Sequence, residues 1–239
     1  MIVDLDISKL KVLFIGAGEI TARKLTNLCN VPNELRIVSE SFSASAESSI
    51  LTLVSTSDMR HNSIDELREF FRDRAALKFE AHAQRSIFIL ERCKIGELGD
   101  GEVLKSDLIF CCTNDKLINH DIATFALKHG KIVNNVSEMA SSNMRNVATK
   151  RYRHFSLAVS SKVPVPALSK WICEMAGSKL LPELDEFVRV CSKVRTDIKL
   201  EGRRVRDGGW NLVMASKAFE LIVADEENLA ISEIRQCLL

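Results

Sequence analysis

At 239 residues, 46% of them apolar and 27% charged, the chain is long enough to bury a full core and to divide into an α/β domain and a smaller appendage. Its net charge of +1, from 33 basic and 32 acidic side chains, excludes a global attraction to nucleic acid or to an anionic membrane surface. There is no long apolar span, and Met1–Asp6 carries acids where a secretory leader would carry bases, so a cytoplasmic protein is expected.

The first element is a strand, Val12-Leu13-Phe14-Ile15, that runs into the glycine turn Gly16-Ala17-Gly18 and then a helix-forming run from Glu19. A turn of this kind is a phosphate cradle. Gly16 permits the tight bend, Gly18 lets the backbone approach a diphosphate, and the helix N-terminus offers free N–H groups to the anion. Gly16, Ala17, Gly18, Glu19 and Ile20 are therefore expected to bind a dinucleotide cofactor, with Thr21 standing where a third glycine or an alanine is usual. A second strand, Glu34–Glu40, places Ser39 and Glu40 about 20 residues past the glycines, where an acid takes the adenosine ribose. A carboxylate there repels a 2′-phosphate, which favours NAD over NADP; Ser39 alone could serve the hydroxyl.

Residues 55–84 read as a polar insertion, in which Ser63-Ile64-Asp65-Glu66 has the capping-box pattern and opens an amphipathic helix through Leu67, Phe70 and Phe71. Strands follow at 86–91 and 107–113, the latter ending at Cys112, Thr113 and Asn114. A helix over 118–129 is closed by Gly130, and further strands are expected at 131–136 and, last in the sheet, 155–160. From Pro164 onward the pattern is helical, over 166–175, 182–199 and 210–223. The middle helix stacks Leu184, Phe187, Val188, Cys191, Val194 and Ile198 as a core or dimer stripe. This alternation implies an α/β chain: a Rossmann-type parallel-sheet domain over 1–160 and a mainly helical dimerisation or substrate domain over 161–239.

The seven cysteines show no paired spacing and are expected as reduced thiols, and the five histidines form no ligand pair, so no metal site is expected. His120 and His129 fall in the helix ending near Gly130, where surface or capping roles are expected.

With these segments in order, the sequence resembles the precorrin-2 dehydrogenases, the NAD-dependent part of sirohaem synthases, some of which also insert ferrous iron into sirohydrochlorin. The likeness is carried by Val12–Gly18 with Arg23-Lys24, by Phe110–Asp115 with Asn119, and by Val133-Asn134-Asn135-Val136. Val159–Pro164 with Ala167, and the tail with Arg203-Arg204 and Trp210, extend it. The resemblance implies NAD-dependent oxidation of precorrin-2 by a cytoplasmic homodimer, with Cys112, Thr113, Asn114, Asn134 and Val136 beside the cofactor. Where the family carries an aspartate for proton chemistry this chain has Ser137, followed by Glu138; Glu138, given an upward pKa shift from partial burial, is the alternative base. Arg145, Lys150, Arg151, Arg153 and Lys162 are expected to meet the carboxylates of the tetrapyrrole. The Ser137 departure also motivates a regulatory, non-catalytic tetrapyrrole-binding reading. A glutamyl-tRNA reductase relationship, suggested by Gly16–Glu19, ranks last, because eleven residues before Val12 leave no room for a catalytic domain.

Overall fold

The computed structural model describes residues 3–28, 30–55, 61–81, 86–161 and 165–239. It divides into two units, Met1–Arg145 and Asn146–Leu239.

The first unit is built on β1 (Lys11–Ala17), β2 (Glu34–Phe42), β3 (Ala76–Ala81), β4 (Ser86–Arg92), β5 (Leu108–Cys111) and β6 (Ile132–Asn135), in spatial order β3-β4-β2-β1-β5-β6. Every pairing from β4 to β6 is parallel, so the order reverses between β1 and β5, and ligands of such sheets bind outside the strand tips at that reversal. The strands are apolar on both faces because helices cover both. On one side Val12, Phe14, Leu35, Ile37, Phe88 and Phe110 pack under α1 (Glu19–Thr26), α2 (Ala44–Ser55) and α3 (His61–Asp73), with Phe14 stacked on Phe110 at 4.4 Å. On the other, Leu13, Ile15, Val38, Ile109 and Val133 pack with α4 (Asp100–Lys105) and α5 (Lys116–Lys128).

The α/β class and its parallel sheet are as the sequence implies, and the differences are local. The helix of the 55–84 insertion starts at His61, so Ser63 lies inside it and is not its cap. That insertion also supplies β3, which pairs antiparallel with β4 and ends the sheet. Helix α5 starts two residues early because the Asp115 carboxylate accepts from the N–H groups of Leu117 and Ile118; His129 is the C-cap, and Gly130 turns with φ +71°.

The second unit begins earlier than the expected boundary at residue 161. Residues 155–160, expected as the last strand of the parallel sheet, instead supply β8 (Ser156–Val159), which pairs antiparallel with β7 (Ala148–Arg151) in a separate ribbon. A strand this short joins a new partner because a hairpin to 148–151 needs only a brief turn, whereas a parallel pairing needs a crossover. Helix α6 (Pro166–Ser178) packs Ser169, Cys173 and Gly177 inward. Helices α7 (Glu183–Leu200), α8 (Gly209–Ala215), α9 (Ala218–Val223) and α10 (Glu227–Leu238) share a core of Phe187, Val190, Val194, Ile198, Val213, Ile222 and Ile234. The single helix expected over 210–223 is broken at Ser216, whose backbone is extended and whose hydroxyl oxygen accepts from the Ala218 N–H. Among the described residues no helix is long and apolar enough to cross a membrane.

Candidate dinucleotide site

The glycine turn is shaped by contact with β5. Gly16 has φ +97°, and a Cβ on it would lie 2.6 Å from the carbonyl oxygen of Cys112, so only glycine lets β1 leave the sheet here. Thr21, fully buried, donates its hydroxyl to the Gly16 carbonyl at 2.7 Å and so closes the turn that a third glycine would otherwise pack against. Gly18 is the N-cap of α1 with extended backbone, and a Cβ there would meet no atom within 4 Å. Glycine supplies no side-chain acceptor to cap the helix, and among the described residues the opening N–H groups of α1, from Glu19 and Ile20, have no carbonyl one turn earlier to bond. Open space over a helix N-terminus fits a diphosphate.

Ser39 is buried; its hydroxyl accepts from Ala17 N–H at 3.1 Å and donates to the Ser41 carbonyl at 2.7 Å, which pins the tip of β1 to that of β2. Glu40 beside it is exposed, so of the two expected ribose residues Glu40 has its polar group turned to solvent.

At the tips of β5 and β6 the organising residue is Asn119, fully buried in the first turn of α5. Its Oδ1 accepts from Thr113 N–H at 3.1 Å and from Thr113 Oγ1 at 2.8 Å. Its Nδ2 donates to the Thr113 carbonyl at 3.0 Å and to Ser137 Oγ at 2.7 Å. One amide thus ties the loop after β5, with Thr113 and Asn114, to the loop after β6, with Val136, Ser137 and Glu138. Asn135 extends the tie, its Oδ1 accepting from Ser137 N–H at 2.9 Å while its Nδ2 donates to Ser141 at 2.8 Å. Burial pushes the neighbouring thiols up, Cys111 to about 12 and Cys112 to about 11, so both stay protonated and unreactive at neutral pH.

Asn134 faces away from these loops. Its Oδ1 accepts from Lys24 Nζ at 2.6 Å and its Nδ2 donates to the Met144 carbonyl, with the Lys24 ammonium 5.0 Å over the Phe110 ring. Burial holds that ammonium below the ordinary lysine range.

The two candidate bases differ from expectation. Among the described residues the Ser137 hydroxyl oxygen accepts from the Asn119 amide, which cannot take its proton, and the Ser137 backbone N–H donates to Asn135. Glu138 is exposed, and hydrogen bonds from His120 and Ser141 hold its carboxyl below the usual range, the reverse of the upward shift expected from burial. His120, expected as a surface or cap residue, places Nδ1 2.7 Å from Glu138 Oε2. Ser141 and this histidine carry no motif of their own, whereas Asn119 goes with the Phe110–Asp115 segment that carries the resemblance, though not as the clamp it forms.

The expected basic segment divides. Arg145, which ends the first unit, donates to the Met139 sulfur. In the second unit Lys150 sits over the Tyr152 ring, Arg151 is on the exposed face of β7, and Arg153 lies near Glu186. Lys162 lies outside the described residues.

A family model with the description "Putative NAD(P)-binding" matches residues 3–148. Among solved structures, the chain is similar to "SirC, precorrin-2 dehydrogenase", with a TM-score of 0.64 and 19% identity over 99% of this chain and 99% of that one, a likeness of fold. No curated protein matches. The glycine turn, the bare α1 N-terminus and the match over 3–148 lead to one conclusion: the chain belongs to this NAD(P)-binding family.

Proposed function

We propose that the protein is an NAD-dependent dehydrogenase that oxidises precorrin-2 to sirohydrochlorin. The observation that carries this reading is the reach of the fold likeness: it runs through the helical second unit, well past the 3–148 segment that the NAD(P)-binding family accounts for. When bound, the nicotinamide supplies the hydride acceptor. The chain's own share is placement. Gly16, Ala17, Gly18, Glu19 and Ile20 hold the diphosphate; Glu40 takes the ribose and selects NAD, since Ser39 is committed to the backbone. Cys112, Thr113, Asn114 and Val136, clamped by Asn119, flank the ring, whereas Asn134 supports β6 from beneath through Lys24.

Arg145, Lys150, Arg151, Arg153 and Lys162 meet the carboxylates of the macrocycle in this reading, for which guanidinium forks are well suited. The enzyme works in the cytoplasm, which suits six described cysteines that stand free. It works as a homodimer, supported by the apolar stripe Leu168, Trp171 and Met175 that α6 leaves exposed; sedimentation equilibrium is expected to give twice the 26.8 kDa chain mass, and a single-chain mass refutes the dimer.

The deciding experiment incubates the protein with precorrin-2 and NAD and follows sirohydrochlorin absorbance. Product that depends on NAD is expected; none at high enzyme concentration overturns the reading. Gly18→Val isolates the cofactor step. Its Cβ meets no protein atom within 4 Å and its methyls enter the space over the α1 N-terminus, so stability is expected to fall by no more than about 1 kcal/mol, the cost of a poorer N-cap, while NAD affinity, read by calorimetry, falls about 100-fold, the loss of roughly 2.7 kcal/mol. Unaltered affinity would remove the diphosphate from this turn.

A further inference from the structure

We propose that His120 is the proton acceptor of this oxidation and that Glu138 is the positioning residue that keeps its Nε2 free to accept. The proposal rests on the reading above and names a group that the sequence had assigned to the surface.

The chemistry requires two hydrogens to leave the substrate, one with its bonding electron pair as hydride and one as a proton. The proton needs a base at the tips of β5 and β6. Ser137 cannot serve, because the described partner of its hydroxyl is the Asn119 amide, and a serine hydroxyl needs an activating base to become one itself. Glu138 is a poor choice, because it already receives hydrogen bonds from His120 and from Ser141 at 3.0 Å. An imidazole is the side chain best matched to proton acceptance near neutral pH.

The geometry assigns the roles within the pair. A carboxylate only accepts, so a neutral His120 must carry its proton on Nδ1, 2.7 Å from Glu138 Oε2, and present the Nε2 lone pair outward. The side chain is 50% exposed, and the Thr124 hydroxyl stands 3.5 Å from Nε2, too far to hold it firmly. Glu138 is the charged group in contact with His120 among the described residues. Asp115, Lys116 and Asp121 lie on the same helix, and on α4 Glu102 is engaged with Arg36 and Lys105. His120 directly follows Asn119, whose amide bonds Ser137, so the imidazole is held beside the loop after β6. In the step, the substrate's N–H or C–H bond breaks, its electron pair stays with the macrocycle, and the proton forms a new bond to Nε2; the imidazolium later returns it to water.

The test uses the full-length protein and His120→Ala, Glu138→Ala and wild type. His120 is half exposed on a helix, where alanine is well tolerated, so the variant is expected to melt like wild type. Its kcat is expected to fall about 100-fold with NAD affinity unchanged, and added imidazole is expected to restore part of the lost turnover. In the cofactor-free protein, 15N NMR is expected to find the His120 ring as the Nδ1–H tautomer in wild type and as Nε2–H in Glu138→Ala, with about tenfold lower kcat in the latter. A His120→Ala kcat within threefold of wild type, absence of rescue, or an Nε2–H ring in wild type overturns the assignment while leaving the dehydrogenase reading intact. Wild type that does not oxidise precorrin-2 removes both.

Discussion

Gly16→Ala is expected to cost the protein about 2–5 kcal/mol of stability and most of its NAD affinity. Two penalties combine at this position. The residue sits at φ +97°, where an L side chain strains the backbone by about 1–2 kcal/mol. The added Cβ would then lie 2.6 Å from the Cys112 carbonyl oxygen, 2.8 Å from its carbon and 3.0 Å from the Thr113 nitrogen. These are backbone atoms of the β5 exit, which cannot swing aside as a side chain would, so overpacking adds about 1–3 kcal/mol. Relief requires β1 and β5 to part at their tips, which opens the cofactor site itself. For a chain of this size the melting temperature is expected to drop by about 10 °C. Gly18→Ala, whose Cβ meets nothing within 4 Å, is the matched control and should lose only the capping preference, about 1 kcal/mol or less. A Gly16→Ala protein that melts within about 2 °C of wild type would contradict the close approach of the two strands.

Asn119→Ala should be nearly as damaging, for a different reason. The amide makes four hydrogen bonds from a fully buried position, three to Thr113 and one to Ser137. Truncation leaves the Thr113 N–H and carbonyl without those partners, and stranded groups of this kind cost about 1–3 kcal/mol each, so a loss of about 3 kcal/mol is expected. Denaturant unfolding reads it. Amide exchange at Thr113 and Ser137 should rise together, since one side chain restrains both loops, and kcat should fall with them. Asn119→Asp retains the acceptor for Thr113 and loses both donated bonds, so it should free the Ser137 loop more than the Thr113 loop. If Asn119→Ala unfolds within about 1 kcal/mol of wild type, the clamp is not what holds these loops.

The parts of this fold that show in the sequence are those whose physical cause is local. Val12–Ile15 running into Gly16 is a strand and turn on short-range grounds, and Leu108–Cys111 is apolar throughout because helices cover both faces. The 156–159 strand is equally readable as a strand, but its partner is not: four residues of alternating burial fit a parallel sheet or a separate ribbon, and tertiary pairing alone decides. The break at Ser216 was hidden in the same way, since the apolar run of 210–223 continues across a residue whose hydroxyl caps the next helix. In the site, the glycine turn was legible because backbone geometry demands glycine. The arrangement of Ser39, Asn119 and His120 was not, because a hydroxyl, an amide and an imidazole acquire their roles from partners 22, 18 and 18 residues away. Glu138 stands out in the sequence as a carboxylate next to Ser137, yet its environment runs opposite to expectation, because the histidine that bonds it lies on another element.

The antiparallel strand β3 has an effect that reaches beyond the single molecule. Without it, the rim of the sheet would be β4, a ribbon bearing Ile87, Phe88, Ile89 and Leu90 with an open row of backbone donors and acceptors. With it, the border carries the charged side chains of Lys78 and Glu80 between its apolar residues, which blunts the edge against pairing with another main chain. The polar insertion therefore gives a sheet whose parallel strands are apolar on both sides a charged outer border.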